Sequence, residues 1–215
     1  MKAVFLGIDL TSSSKRASAY AVLDDQAKLH DVGLVGEDVE IVALAQRWRP
    51  RYVAIDAPIS LPRGLCCLDE SCDCAPVSGD GLKAAERELF RRGVGLYATT
   101  KRSMIKAMVY RAMELRRSLE RVGFSVVEIY PYASKVQLFG KPVPKKTTAA
   151  GRQWLRERLE GLVPGLGERE GRLSHDELDA VVAAYTAYLH GRGLAEEVGD
   201  PEEGMIVVPR GQSLS

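Results

Sequence analysis

Five acidic residues stand where their surroundings could turn a carboxylate to chemical use. Asp9 closes the apolar run VFLGID, and Asp56 closes YVAID. A carboxylate at the end of a buried run is costly unless it is paired, hydrogen-bonded or bound to a cation. Two such groups side by side repel, so a divalent cation is their natural partner. Either Asp taken alone is equally explained as a turn residue. Glu128 lies inside VVEIYP, where alternation puts it on one side with Val126 and Tyr130. It reaches the same cluster if its strand flanks the other two, and faces solvent if that strand is an edge. Asp176 and Asp179 fall at i and i+3 of HDELDAVVAAYTAYLH, on one helical face. Acids in a first turn complement the helix dipole, which explains Asp176 better than Asp179, because Asp179 precedes a nearly all-apolar run.

A second group is sulfur. Cys66, Cys67, Cys72 and Cys74 are all the cysteines of the chain, spaced C-C-x4-C-x-C. Structural zinc usually takes CxxC pairs separated by a longer loop. Adjacent Cys66 and Cys67 do not easily point at one tetrahedral centre, so free thiols and local disulfides rank above zinc. A third group is basic. Thr11, Lys15 and Arg16 lie just beyond Asp9. Lys101 and Arg102 open the stretch KRSMIKAMVYRAMELRR. These side chains could grip phosphates, or simply form a solvated face. Met104, Met108 and Met113 read as core or interface residues, which leaves a homodimer open.

These residues need a frame. The chain reads as three short strands over 3–9, 17–23 and LHDVGLV, close enough in sequence for an antiparallel meander. A helix over 37–47 follows, then the strand 52–56, whose unbroken apolar character after a helix suggests a parallel strand buried on both faces. Residues 60–81 are rich in Pro, Gly, Ser and Cys and read as a mobile insertion or lid. Helices are expected at 82–92 and 102–121, a strand at 123–130 stopped by Pro131, and a helix from Thr147 or Thr148 to Leu159. Ser174 with Glu177 three residues on is a capping-box signature, opening a helix that runs to about His190. MIVVP makes a short last strand. The pattern is α/β with a mixed sheet of about five strands and flanking helices, the meander first, in one domain over 1–215.

Composition narrows the classes. The 215 residues are 46% hydrophobic and 27% charged with a net charge of +1, which excludes a wholly disordered or collagen-like chain. The balance supplies no bulk steering toward nucleic acid or membrane. No stretch reaches the roughly 20 apolar residues of a membrane span, and the first apolar run stops at Asp9 without a cleavage site. A cytoplasmic location without a membrane partner is the expectation. There is no GxxxxGK[ST] motif, so a P-loop enzyme is not supported.

Taken together, GIDLTSSSKRASAYAVLD at 7–24, VAIDAP at 53–58, the Cys region running into a helix, EIYP at 128–131 and HDELDAVVAA at 175–184 resemble the family catalogued as domain of unknown function 429. That family is assigned to the ribonuclease H-like superfamily as a predicted nuclease. The resemblance implies acids on the first and fourth strands, matching Asp9 and Asp56, and on the final helix, matching Asp176 and Asp179. It implies metal-dependent hydrolysis of nucleic acid, DNA or RNA, with Mg²⁺ or Mn²⁺ on oxygen ligands. Asp9 would bridge the ions, and Asp56 and Asp179 would complete their shells. Asp176 or Glu128 would take the remaining position. His175 would orient a water or leaving group, or merely cap the helix. Two other readings compete: a phosphoryl-transfer ATPase or kinase-like protein of the related actin-type fold, suggested by the outline of GIDLTSSSK, and a non-catalytic nucleic-acid-binding module.

Overall fold

The computed structural model describes residues 3–13, 15–169 and 171–211. Three strands open the chain: β1 Val4–Asp9, β2 Ser18–Asp24 and β3 Leu29–Val35. Both pairings, β1 with β2 and β2 with β3, are antiparallel, as the short spacing requires. The β2–β3 turn is built on Asp24, whose carboxylate accepts the amides of Gln26 and Lys28 at 2.9 Å. Helix α1, Asp38–Trp48, then carries the chain back to β4, Tyr52–Ile55. Such a return makes β4 parallel to β1, and the register runs Phe5–Tyr52 through Ile8–Ile55.

Beyond β4 the segment 60–81 has neither helix nor strand. Helices α2, Ala84–Arg91, and α3, Lys106–Arg121, follow, then β5, Val126–Ile129, parallel to β4. Strand β5 stops before Pro131, as expected, and a helix follows directly. Pro131 sits at the first turn of α4, Pro131–Phe139, where its missing N–H costs nothing. Thr148 caps α5, Ala149–Glu160, accepting the Gly151 amide at 3.0 Å. The capping box at Ser174 and Glu177 is formed and opens α6, His175–Gly191. The hairpin of β6, Ala195–Asp200, and β7, Gly204–Pro209, closes the chain.

The sheet has seven strands, ordered β3-β2-β1-β4-β5-β7-β6, rather than about five. Beyond that count, β7 is the short last strand MIVVP, and β6, a polar edge whose buried side chains are Ala195 and Val198, is absent from the sequence reading. Its first five strands form the ribonuclease H-like arrangement. Alternating residues cover the two faces. Phe5, Ala54 and Ile129 pack under α5 and α6, while Leu6, Ile8, Val53 and Ile55 pack under α1 and α3. Helix α6 is buried along almost its whole length. It lies so close to β1 that a Cβ on Gly7 would stand 2.2 Å from the Ala184 nitrogen and 2.3 Å from the Ala180 oxygen. No described helix is long and apolar enough to cross a membrane.

Candidate functional site

Asp9 and Asp56 converge because of pleat and register. Ile8 pairs with Ile55, and the Asp56 amide donates to the Ile8 carbonyl at 2.9 Å, so the next residue on each strand stands beside the other. Both continue the face of Gly7 and Ala54, the face that α6 covers. The close packing at Gly7 lays the first turns of α6 over these strand ends and brings in Asp179, which is 1% exposed. Asp176 borders the group with its carboxylate 2.6 Å from His175 Nδ1.

The electrostatics of this group are strained. Burial, then the charges of Asp56 and Asp179, push the Asp9 carboxyl up to about 9. Burial, then Asp179, push Asp56 up to about 7. Asp9 Oδ2 is buried without a hydrogen-bond partner among the described residues. Asp179 is satisfied differently. Lys135 Nζ lies 2.8 Å from its Oδ1 and Lys146 Nζ 2.8 Å from its Oδ2. Burial opposes the charge on Lys146, but Asp179 outweighs it and holds the ammonium above its ordinary range. Tyr130 stands nearby, with its hydroxyl on the Gly95 carbonyl at 2.8 Å; burial and then Asp56 push it up to about 12.

The residues present fit a divalent cation at Asp9 and Asp56. An orphaned buried carboxylate oxygen and a second carboxylate beside it are hard ligands, and the charge of Lys146 offsets their burial only in part. The expected three-carboxylate shell is not closed. Among the described residues, Asp9, Asp56 and Asp179 do not bring their ligand oxygens within 4.8 Å of one another. Lysines occupy both oxygens of Asp179, and Lys146, the half-exposed one, must move for Asp179 to ligate.

Glu128 is placed away from this group. It pairs in register with Ile55 and so shares the face of Ile55, opposite to that of Asp56. There it binds Lys83 Nζ at 2.7 Å through both oxygens and accepts the Ile59 amide at 3.0 Å. Alternation within one strand predicted which neighbours Glu128 sides with, but not which face of the sheet that side becomes.

The expected phosphate-binding residues divide. Lys15 and Arg16 are exposed on the turn after β1. Thr11 folds inward: its hydroxyl lies 2.8 Å from the Arg16 carbonyl and accepts from Arg111 Nη1 at 2.9 Å. Arg111, anchored on Asp38 at 2.7 Å, thereby closes the turn that resembled a phosphate loop in outline. Lys101 donates to the Cys72 carbonyl, and Arg102 stands 3.9 Å from Glu70. Both reach across to the Cys-bearing excursion.

That excursion corrects the reading of the cysteines. The four sulfurs lie within 4.8 Å of one another, Cys66 and Cys67 included, so the group has metal-binding geometry. Hydrogen bonding from the backbone at Cys66 and Cys67 brings the Cys74 thiol down to about 6. Sequence reasoning missed Lys135 and Lys146 altogether. Lys135 lies on α4, a helix absent from the sequence reading, and Lys146 sits in the loop KPVPKK, which offers no periodicity.

The strand order gives a mixed sheet of ribonuclease H-like topology. Residues 7–204 match the family described as "Protein of unknown function (DUF429)", and the chain belongs to that family. No curated protein matches it. Among solved structures, RuvC of Thermus thermophilus is similar with a TM-score of 0.47 and 14% identity, over 88% of this chain and 96% of that one. T. thermophilus RuvC in complex with a Holliday junction substrate is similar with a TM-score of 0.46 and 14% identity, over 89% of this chain and 96% of that one.

Proposed function

We propose that this protein hydrolyses phosphodiester bonds in nucleic acid, using Mg²⁺ or Mn²⁺ held at Asp9 and Asp56. The observation that carries this reading is the buried, partnerless Asp9 Oδ2 beside a second carboxylate at the ends of two adjacent parallel strands. Ligands gather outside such strand ends. A bound ion would polarise a phosphoryl oxygen and make a coordinated water more acidic. Asp9 and Asp56 would hold it, each losing its proton as the ion binds. Asp179 joins them when Lys146 withdraws, and the freed ammonium then offers a charge to a phosphate. Asp176 and His175 line the approach over the first turn of α6. Lys15 and Arg16 supply exposed cations beyond Asp9 for the nucleic-acid backbone, whereas Lys101 and Arg102 serve the Cys excursion.

One observation favours a second reading, a nucleic-acid-binding module without catalysis. The two lysines on Asp179 already neutralise part of the acidic group. The experiment that separates the readings measures divalent-ion binding and cleavage side by side for wild type and Asp9→Asn, on duplex, hybrid, branched and single-stranded substrates. We expect Asp9→Asn to lower cleavage at least about a hundredfold, the upper end of what disturbing a ligand's support alone costs, and to weaken ion binding with the fold intact. Equal ion binding by both proteins would remove Asp9 as a ligand. Wild type that binds nucleic acid but cleaves none of the substrates with either ion would put the binding module first.

A further inference from the structure

We propose that Cys66, Cys67, Cys72 and Cys74 form a tetrathiolate site for one structural Zn²⁺, which ties the irregular excursion 60–81 into a fixed knuckle on helix α3. This site is separate from the carboxylates and stands whether or not they support hydrolysis. The convergence of the sulfurs carries the inference. A tetrahedral ZnS4 centre with Zn–S bonds of about 2.3 Å has S–S edges of about 3.8 Å. The four sulfurs lie within 4.8 Å of one another, and Cys66 Sγ and Cys72 Sγ are 3.6 Å apart, so only a small contraction completes the tetrahedron. Two disulfides would need the sulfurs matched in pairs and would give no reason for all four to meet at one point.

Thiolate donors select the metal. Soft sulfur ligands without carboxylate or imidazole suit Zn²⁺ rather than Mg²⁺ or Mn²⁺. A four-thiolate centre leaves no position open for a reacting group, which makes it structural. Its surroundings match that role. A Zn²⁺ with four thiolates carries a net double negative charge, and three cations stand around the excursion. Lys101 binds the Cys72 carbonyl, Lys106 Nζ lies 3.4 Å from Glu70, and Arg102 reaches the same carboxylate. Between the two halves of the cysteine group, Leu68 is fully buried and its amide donates to the Tyr110 hydroxyl of α3 at 2.6 Å. The excursion has no regular secondary structure of its own, so a metal cross-link within it supplies what a sheet or helix would otherwise provide.

The test uses the full chain, expressed in zinc-supplemented medium and purified under reducing conditions without chelator. Elemental analysis should find about one zinc per chain, retained in Asp9→Asn and lost in Cys72→Ser and Cys74→Ser. Replacing zinc by Co²⁺ should produce the visible absorption of tetrahedral cobalt with sulfur charge transfer, a readout on the unmutated chain that does not depend on the serine variants folding. Chelation should accelerate proteolysis within 60–81 several-fold while the sheet remains folded. Four titratable thiols that take up neither Zn²⁺ nor Co²⁺ would overturn the proposal. Thiols that pair as disulfides on removal of the reductant even with Zn²⁺ present, or zinc undiminished in Cys72→Ser, would do the same.

Discussion

Asp9 illustrates how a single carboxyl can report on negative charge that its neighbours compensate only in part. Its proton is held far above the ordinary carboxylate range, first by burial and then by Asp56 and Asp179. A carboxyl that keeps its proton longer in the folded than in the unfolded chain binds more protons in the fold across that interval. Its stabilising contribution is therefore complete below about pH 4 and is lost as pH rises through about 9. Without divalent ions, wild type should lose stability relative to Asp9→Asn as pH rises from 5 to 9, and saturating Mg²⁺ should restore it. Thermal melts of both proteins at several pH values check this; parallel curves would mean that Asp9 is not strained. Lys146 acts in the opposite sense, since it competes with a cation for Asp179. Lys146→Met should tighten divalent-ion binding several-fold by calorimetry, although it removes a positive charge from a proposed phosphate site. Both acids were legible in the sequence, because an apolar run that ends in Asp is unusual enough to notice. The lysines opposite them were not, because neither a proline-rich loop nor a helix entered through proline signals which way a cation points.

At the scale of the element, the position of α6 decides the geometry of the acids. The helix was legible from its capping box and its apolar run. Which strand it approaches depends on Gly7, whose absent side chain leaves room for the helix backbone itself. An added methyl there meets main-chain atoms that cannot rotate away. Gly7→Ala should therefore destabilise the protein by about 3 kcal/mol, at the upper end of ordinary overpacking. It should also displace Asp179 from Asp9, so ion binding weakens before the fold is lost. Denaturant melts together with an ion titration read both effects. The edge strand β6 escaped the sequence for the opposite reason: with few apolar side chains facing inward, AEEVGD has the composition of a turn.

At the scale of the molecule, the two sheet faces divide the labour. The α6 face carries the strained acids, whereas the opposite side holds a buried ion pair whose groups satisfy each other. Lys83 and Glu128 are almost fully buried and join the entry to α2 with β5. Removing one partner of such a pair leaves an uncompensated charge and costs about 3–5 kcal/mol. Lys83→Met should show that loss in chemical denaturation. The double variant Lys83→Met/Glu128→Gln should recover most of it, since glutamine still accepts the Ile59 amide without carrying a charge. A double variant as unstable as the single one would show that the pair does more than neutralise itself. The mixed sheet and its opening meander followed from strand spacing and from the helix before β4. The face assigned to Glu128 did not, because it is set by register between strands far apart in the chain.

The turn between β6 and β7 has a consequence for how this molecule could vary. One carboxylate, that of Glu203, accepts the Arg63 amide at 2.9 Å through Oε1 and the Ala84 amide at 2.6 Å through Oε2. The two ends of the Cys-bearing segment are thus clasped at a single point, like the neck of a drawstring bag. The stretch 65–81, unlike Lys83 beside the clasp, can lengthen, shorten or be exchanged without tension reaching the sheet, because loop length itself costs little once the ends are held. The segment is in this sense a cassette, and a chain carrying a short glycine-serine bridge in place of residues 65–81 keeps the clasp and the strands that bear the acids.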